Sequence, residues 1–254
     1  MSSENIDSRA PPEYESLPGP RMEGDNLPDD FKYSSNVASC ELSIRNMFLR
    51  KVYSLLSVQI LGTLFVGVLI KCNQGVQRWC MNNMWLFFVS MISSFGFLFL
   101  TLFKARSYPY NLFFLGGFTL SEAYLIGFAS SLTETDALVQ AIIITFVVFI
   151  GLTLFAFQTK YDFISWQGSL YMALWGLIGL GFILMFFPLQ SSVMELIYAL
   201  GGCIIFSLYV VIDTQRIMKT CNLDDEIPAA MQLYMDILNL FLFILRLLDR
   251  RNDS

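Results

Sequence analysis

The chain has 254 residues, 55% of them hydrophobic and 15% charged, with a mean hydropathy of +0.56. A soluble domain cannot bury so large an apolar fraction, so the composition points to a polytopic membrane protein. The chain has no histidine, which removes Ser–His and Cys–His catalysis, histidine-ligated zinc or haem, and a histidine proton switch.

Residues 1–44 hold five of the eight prolines and nine acidic residues. This stretch reads as a disordered, acidic, proline-rich cytosolic tail, and most of the net charge of −5 arises from it. No apolar h-region of a cleavable signal peptide is expected there. Within it PPEY, with Pro11, Pro12 and Tyr14, matches the PPxY ligand of WW domains, which recognise polyproline II segments. A proline-rich solvated tail is the plainer reading of the same four residues.

Seven apolar runs follow, at 52–70, 84–103, 109–129, 137–157, 168–187, 193–213 and 228–248. Each approaches the roughly 20 residues that a helix needs to cross a bilayer core of about 30 Å. None alternates polar and apolar residues as a barrel strand would, so residues 45–254 are expected to form one all-α, seven-span bundle. Arg45, Arg50 and Lys51 before the first run, Lys104 and Arg106, Lys160, and Arg216 and Lys219 all fall on the N-terminal side. The opposite links carry only Lys71 and Arg78. The bias predicts a cytosolic N-terminus. Arg250 and Arg251 pull the other way at the C-terminus, which leaves a re-entrant last segment as an alternative.

Five cysteines do not make a disulfide framework. Cys72 and Cys80 share one link and are the pair open to bridging, and Cys203 reads as a small packing residue. Gly116, Gly117, Gly127, Gly176, Gly179, Gly181, Gly201 and Gly202 permit close helix approach. No Walker-type loop for nucleotide-driven transport, no lysine in the last span for a retinal Schiff base, and no feature for binding nucleic acid is present. A G-protein-coupled receptor would have the opposite orientation. The partners expected from composition are membrane lipids, and the chain is not expected to be an enzyme or to hold a cofactor.

Ionisable groups within apolar runs cost several kcal/mol to insert, at least about 2.5–3.5 at the centre, so they are functional candidates. Four stand out: Glu122 in FTLSEAYLIGF, Asp213 in YVVIDTQRIM, Asp236 in LYMDILNLF, and Arg246. Asp213 closes the sixth run. Asp236 lies about eight residues past Pro228, or roughly 12 Å along a helix, so both fall in the same half of the bilayer. Two carboxylates in one weakly solvated site cannot both ionise cheaply. Such a pair is expected to titrate as a unit and to share a proton, hold a cation or activate water. The bland alternatives are an interfacial Asp213 flanked by snorkelling Arg216 and Lys219, and an Arg246 snorkelling to the far surface. For Glu122 the functional reading is an ion path or gating, and the bland one a neutral, hydrogen-bonded packing group.

Several stretches together resemble the transmembrane Bax inhibitor motif family, in its lifeguard-like branch. They are RNMFLRKVYSLLSVQILGT, YPYNLFFLGGFTLSEAYLIG, FQTKYDFISWQGSLYMAL, YVVIDTQRIM and AMQLYMDILNLFLFILRLL. The resemblance implies six helices around a central seventh, in an endomembrane (endoplasmic reticulum, Golgi or vacuole). It also implies a calcium leak with Ca²⁺ as permeant ion, and suppression of cell death with cell-death regulators as partners. Asp213 and Asp236 fall on the family's pH-sensing, ion-gating pair, where Ca²⁺ would bind transiently, and Glu122 on its third-span glutamate. The basic latch that bacterial members carry in span 2 has no counterpart, since residues 84–103 contain no Lys or Arg. A non-conducting scaffold for cell-death or calcium-handling proteins is the alternative function. Intramembrane aspartyl proteases also pair aspartates on consecutive spans. They use Tyr-Asp and Gly-x-Gly-Asp, whereas Val211-Ile212 precede Asp213 and Leu233-Tyr234-Met235 precede Asp236.

Overall fold

The computed structural model describes residues 37, 42–186 and 192–252. PPEY, with Pro11, Pro12 and Tyr14, therefore lies outside the described residues. The described chain is all-helical: α1 (Leu42–Cys72), α2 (Gln74–Asn82), α3 (Met84–Phe103), α4 (Tyr110–Ser131), α5 (Thr135–Gln158), α6 (Gln167–Phe186), α7 (Ser192–Lys219) and α8 (Glu226–Asn252). A short 3-10 turn, Phe163–Trp166, leads into α6. Seven of these helices are long and apolar enough to cross a membrane; α2 is not.

Helix ends follow local chemistry. The link around 72–83 reads as a loop by hydropathy, yet Asn73 caps a helix there. Its Oδ1 accepts from the backbone N–H groups of Gly75 (2.9 Å) and Val76 (3.3 Å). Cys72 and Cys80, at opposite ends of this turn, are both free thiols, so the bridge open to them in sequence is not made. Pro228 lies in the first turn of α8, where its missing N–H breaks no helical bond.

α8 is the most enclosed span. Ala230, Met231, Leu233, Tyr234 and Leu240 are buried round its circumference, and it packs on α7, α5, α1, α4 and α3. α6 is held instead by α7 and the 3-10 turn. Close approach uses glycine at Gly117, against the Phe97 ring, at Gly181, against the Tyr198 hydroxyl, and in two further places. Gly127 of α4 meets Gly67 of α1, where an added Cβ would lie 3.2 Å from the Gly67 Cα. Gly202 of α7 receives the Phe243 ring of α8 directly on its backbone. Gly116, Gly176 and Gly179 face open space and serve no such contact.

The starts and ends of the seven long helices alternate between two ends of the bundle. One end gathers the start of α1, the α3–α4 link, the α5–α6 link and the α7–α8 link, with most of the basic residues. Contacts tie it together: Arg106–Asp225 at 3.5 Å, Lys219–Asp162 at 3.3 Å, and the Val37 N–H on the Cys221 carbonyl at 3.0 Å. Val37 is fully buried there. At the other end the Lys71 ammonium donates to the carbonyls of Ser131 (3.4 Å) and Thr133, neutralising the carbonyl end of α4.

Candidate functional site

In α7, Tyr209, Asp213 and Arg216 recur at i, i+4 and i+7, which places them on one helix face. In α8, Gln232 and Asp236 form the matching i, i+4 pair. The two faces meet. The Asp213 and Asp236 carboxyls stand within hydrogen-bonding reach of each other, and only 7% and 6% of these residues is exposed. A hydrogen bond between two carboxyls needs a proton on one of them.

Arg216 bridges both helices. Its Nη1 donates to Asp213 Oδ1 at 3.2 Å and to Gln232 Oε1 at 3.4 Å. Asp236 Oδ2 is buried and receives no hydrogen bond. The Tyr209 hydroxyl, also buried without a partner, lies close enough to both carboxyls to feel their charge, and its ring leans on Tyr171 at 6.1 Å between centroids. Asp213 thus accepts from a guanidinium, whereas Asp236 Oδ2 has no donor.

Neighbouring residues of α7 fix this face. Gln215 is fully buried, and its Nε2 donates to the Tyr161 carbonyl while its Oε1 accepts from the Phe163 N–H, both at 2.9 Å. That clamp holds the α5–α6 link and its aromatic cluster of Phe155, Tyr161, Phe163 and Trp166 against α7. On another face Thr214, the Tyr53 hydroxyl of α1 and Thr153 of α5 lie near one another, each hydroxyl buried without a hydrogen-bond partner. Beyond the helix, burial pushes the Cys221 thiol up to about 11, against the opposing pull of Arg216, so it stays a neutral thiol at physiological pH.

Glu122 does not join the pair. Ser94 of α3 donates to its Oε1. From α8 the Tyr234 hydroxyl lies close enough to Glu122 to feel its charge, and it bonds Thr63 Oγ1 at 2.7 Å. Thr63 donates in turn to the Gln59 carbonyl (2.8 Å), and Gln59 Nε2 donates to Thr119 Oγ1 (3.0 Å). Tyr234 and Asp236 are two residues apart, about 200° round the helix. α8 thus separates two polar centres, one against α7 and one against α1, α3 and α4. Arg246 stands apart from both, its side chain exposed and its guanidinium 4.9 Å from the centre of the Tyr198 ring. Snorkelling chemistry fits it better than a place in either centre.

Gln232, Gln215, Tyr209 and Tyr234 were not among the sequence candidates. Their signal was faint but present: Tyr209, Gln232 and Tyr234 are polar or hydroxyl side chains inside apolar runs, Gln215 follows one by two residues, and Tyr209 and Gln232 stand four residues before an aspartate. Arg216 was read as a snorkelling flank, whereas its guanidinium turns inward along α7.

The family described as Inhibitor of apoptosis-promoting Bax1 matches residues 45–253. The chain is 36% identical to mouse Protein lifeguard 4 over 229 residues, covering 90% of this chain and 95% of that protein. It is 34% identical to Bax inhibitor 1 of Schizosaccharomyces pombe over 253 residues, covering 97% and 93%. It is 32% identical to the Golgi anti-apoptotic protein of Vaccinia virus (strain Lister) over 229 residues, covering 90% and 96%. Seven apolar helices, an aspartate pair buried between the last two, and similarity running almost the length of the bundle give one conclusion: this chain belongs to the Bax inhibitor-1 family of multi-pass membrane proteins.

Proposed function

We propose that the chain suppresses cell death as a pH-sensitive cation leak, with Ca²⁺ as the permeant ion and the Asp213–Asp236 pair as its gate. One observation carries this reading: two buried carboxyls from consecutive helices face each other with a single guanidinium beside them. With one shared proton, the hydrogen bond draws α7 and α8 together. With both groups ionised, repulsion loosens the helices and exposes oxygen ligands suited to a hard cation. Two carboxylates supply at most about four of the roughly six to eight oxygens that Ca²⁺ takes, so water would complete the shell and binding would be transient. Among the described residues no group of three His, Cys, Asp or Glu side chains gathers to hold a resident metal.

The expected test is Ca²⁺ flux through the purified protein in liposomes. Flux should rise as pH rises and the shared proton is lost. Asp213→Asn and Asp236→Asn should conduct poorly and respond little to pH, because the amide mimics the protonated partner. A wild-type flux that falls with rising pH would overturn the gate. The basic residues of the α1 start and of the three links at that end support a cytosolic N-terminus, and the Golgi relative supports an endomembrane address. PPEY would then be presented to cytosolic WW-domain proteins. If flux is absent in all variants, the scaffold role for cell-death regulators is the reading that remains.

A further inference from the structure

We infer that the Arg216 guanidinium is the resident counter-cation of the Asp213–Asp236 pair, a tethered competitor that any permeating cation must displace. The inference rests on the reading above that the pair meets cations, and it adds what holds the site at rest.

Charge and place both argue for it. A guanidinium beside two carboxyl groups offsets negative charge on either of them. Arg216 is held for that purpose from both helices, since Nη1 donates to Asp213 Oδ1 at 3.2 Å and to Gln232 Oε1 at 3.4 Å. Its side chain is 28% exposed against 10% for Asp213, and it lies about one turn nearer the basic end of α7 than Asp213 does. α3 offers no alternative cation, having no Lys or Arg between Met84 and Phe103. Lys219, one turn further on, is occupied by Asp162 at 3.3 Å. A divalent ion approaching the carboxylates from the basic end therefore meets a fixed positive charge at the place it would take, and the free energy of its binding is reduced by that repulsion. The same residue blocks entry at rest and returns when the ion leaves.

Two measurements on the full chain separate this from the gate itself. In detergent, Ca²⁺ affinity is read from the Ca²⁺ dependence of thermal unfolding. In liposomes, resting Ca²⁺ leak is read at fixed pH. Arg216→Gln, which removes the charge, should tighten apparent Ca²⁺ affinity about tenfold or more and raise the leak severalfold. Arg216→Lys should restore most of the wild-type affinity, and Lys219→Gln, a cation outside the pair, should change neither quantity. Adding Asp213→Asn to Arg216→Gln should abolish the gain. Unchanged affinity in Arg216→Gln, or an equal gain in Lys219→Gln, would overturn the inference while leaving the gate intact. Tighter Ca²⁺ binding in Arg216→Gln with no flux from any variant would reject the leak and keep the counter-cation. If Arg216→Gln fails to fold, Gln232→Leu decides: loss of the α8 partner should loosen the guanidinium and raise Ca²⁺ affinity measurably above wild type, and unchanged affinity would overturn the inference.

Discussion

At the scale of single residues, Gln215 and Lys219 illustrate why burial rather than bond count sets energetic weight. Each joins α7 to the α5–α6 link, Gln215 from a fully buried position and Lys219 from a half-exposed one. Gln215→Leu removes both hydrogen bonds and leaves the part-buried Tyr161 carbonyl and Phe163 N–H without their α7 partner, at a cost of about 1–3 kcal/mol. Lys219→Ala removes a surface ion pair worth less than about 1 kcal/mol. Thermal unfolding of the two variants in detergent should therefore show a clear drop for Gln215→Leu and little change for Lys219→Ala. Equal effects would mean that the clamp does not hold the link. Asp213 makes the same point in the other direction. By position it is the last residue of an apolar run, and only its buried place beside Asp236 separates it from an interfacial flank.

Among elements, the α7–α8 interface governs how near the carboxyls can come. Gly202 lets the Phe243 ring rest on the α7 backbone, and Phe206 stacks on that ring from the next turn at 5.7 Å between centroids. A methyl group at Gly202 would fall inside the ring's van der Waals envelope, forcing the helices apart at a cost of about 1–3 kcal/mol. Gly202→Ala should lower the unfolding temperature, and Gly202→Ala combined with Phe243→Leu should recover part of it. Gly176→Ala, on a helix face with open space, should change nothing. Failure of the double variant to recover would show that the glycine serves something other than this contact. Both glycines lie in apolar runs and look alike in sequence; the partner helix alone tells them apart.

For the whole molecule, sidedness is the property that the alternation of helices makes testable. Cys72 is exposed at the end opposite the α7–α8 link, whereas Cys80 is buried. With the N-terminus cytosolic, a membrane-impermeant maleimide should label Cys72 only from the lumenal face of sealed vesicles, and Cys80 only after unfolding. Labelling of Cys72 from the cytosolic face would invert the orientation. The same end-to-end view shows that α7, α8 and the link between them are tied at the basic end by Arg106, Lys219 and the Val37 backbone. Any separation of α7 from α8 of the kind proposed for the gate must be accommodated within those ties.

Sequence alone determined the number, order and approximate limits of the spans, because hydropathy is a local property and a bilayer imposes one length on every helix. The second run, 84–103, coincides with α3 (Met84–Phe103). Limits were missed where local rules outlast the apolar run: α1 begins at Leu42 through its basic first turns, and α7 continues beyond Asp213 to Lys219. Sequence also singled out Asp213 and Asp236, since charge in lipid is costly wherever it stands. Only the tertiary structure decided which charged and polar groups meet. It joined Asp213 to Asp236, turned Arg216 inward to both helices, and put Glu122 and Tyr234 on the far side of α8. Those choices depend on how each helix is rotated against its neighbours. Rotation is set by packing between residues far apart in the chain, which no local pattern encodes.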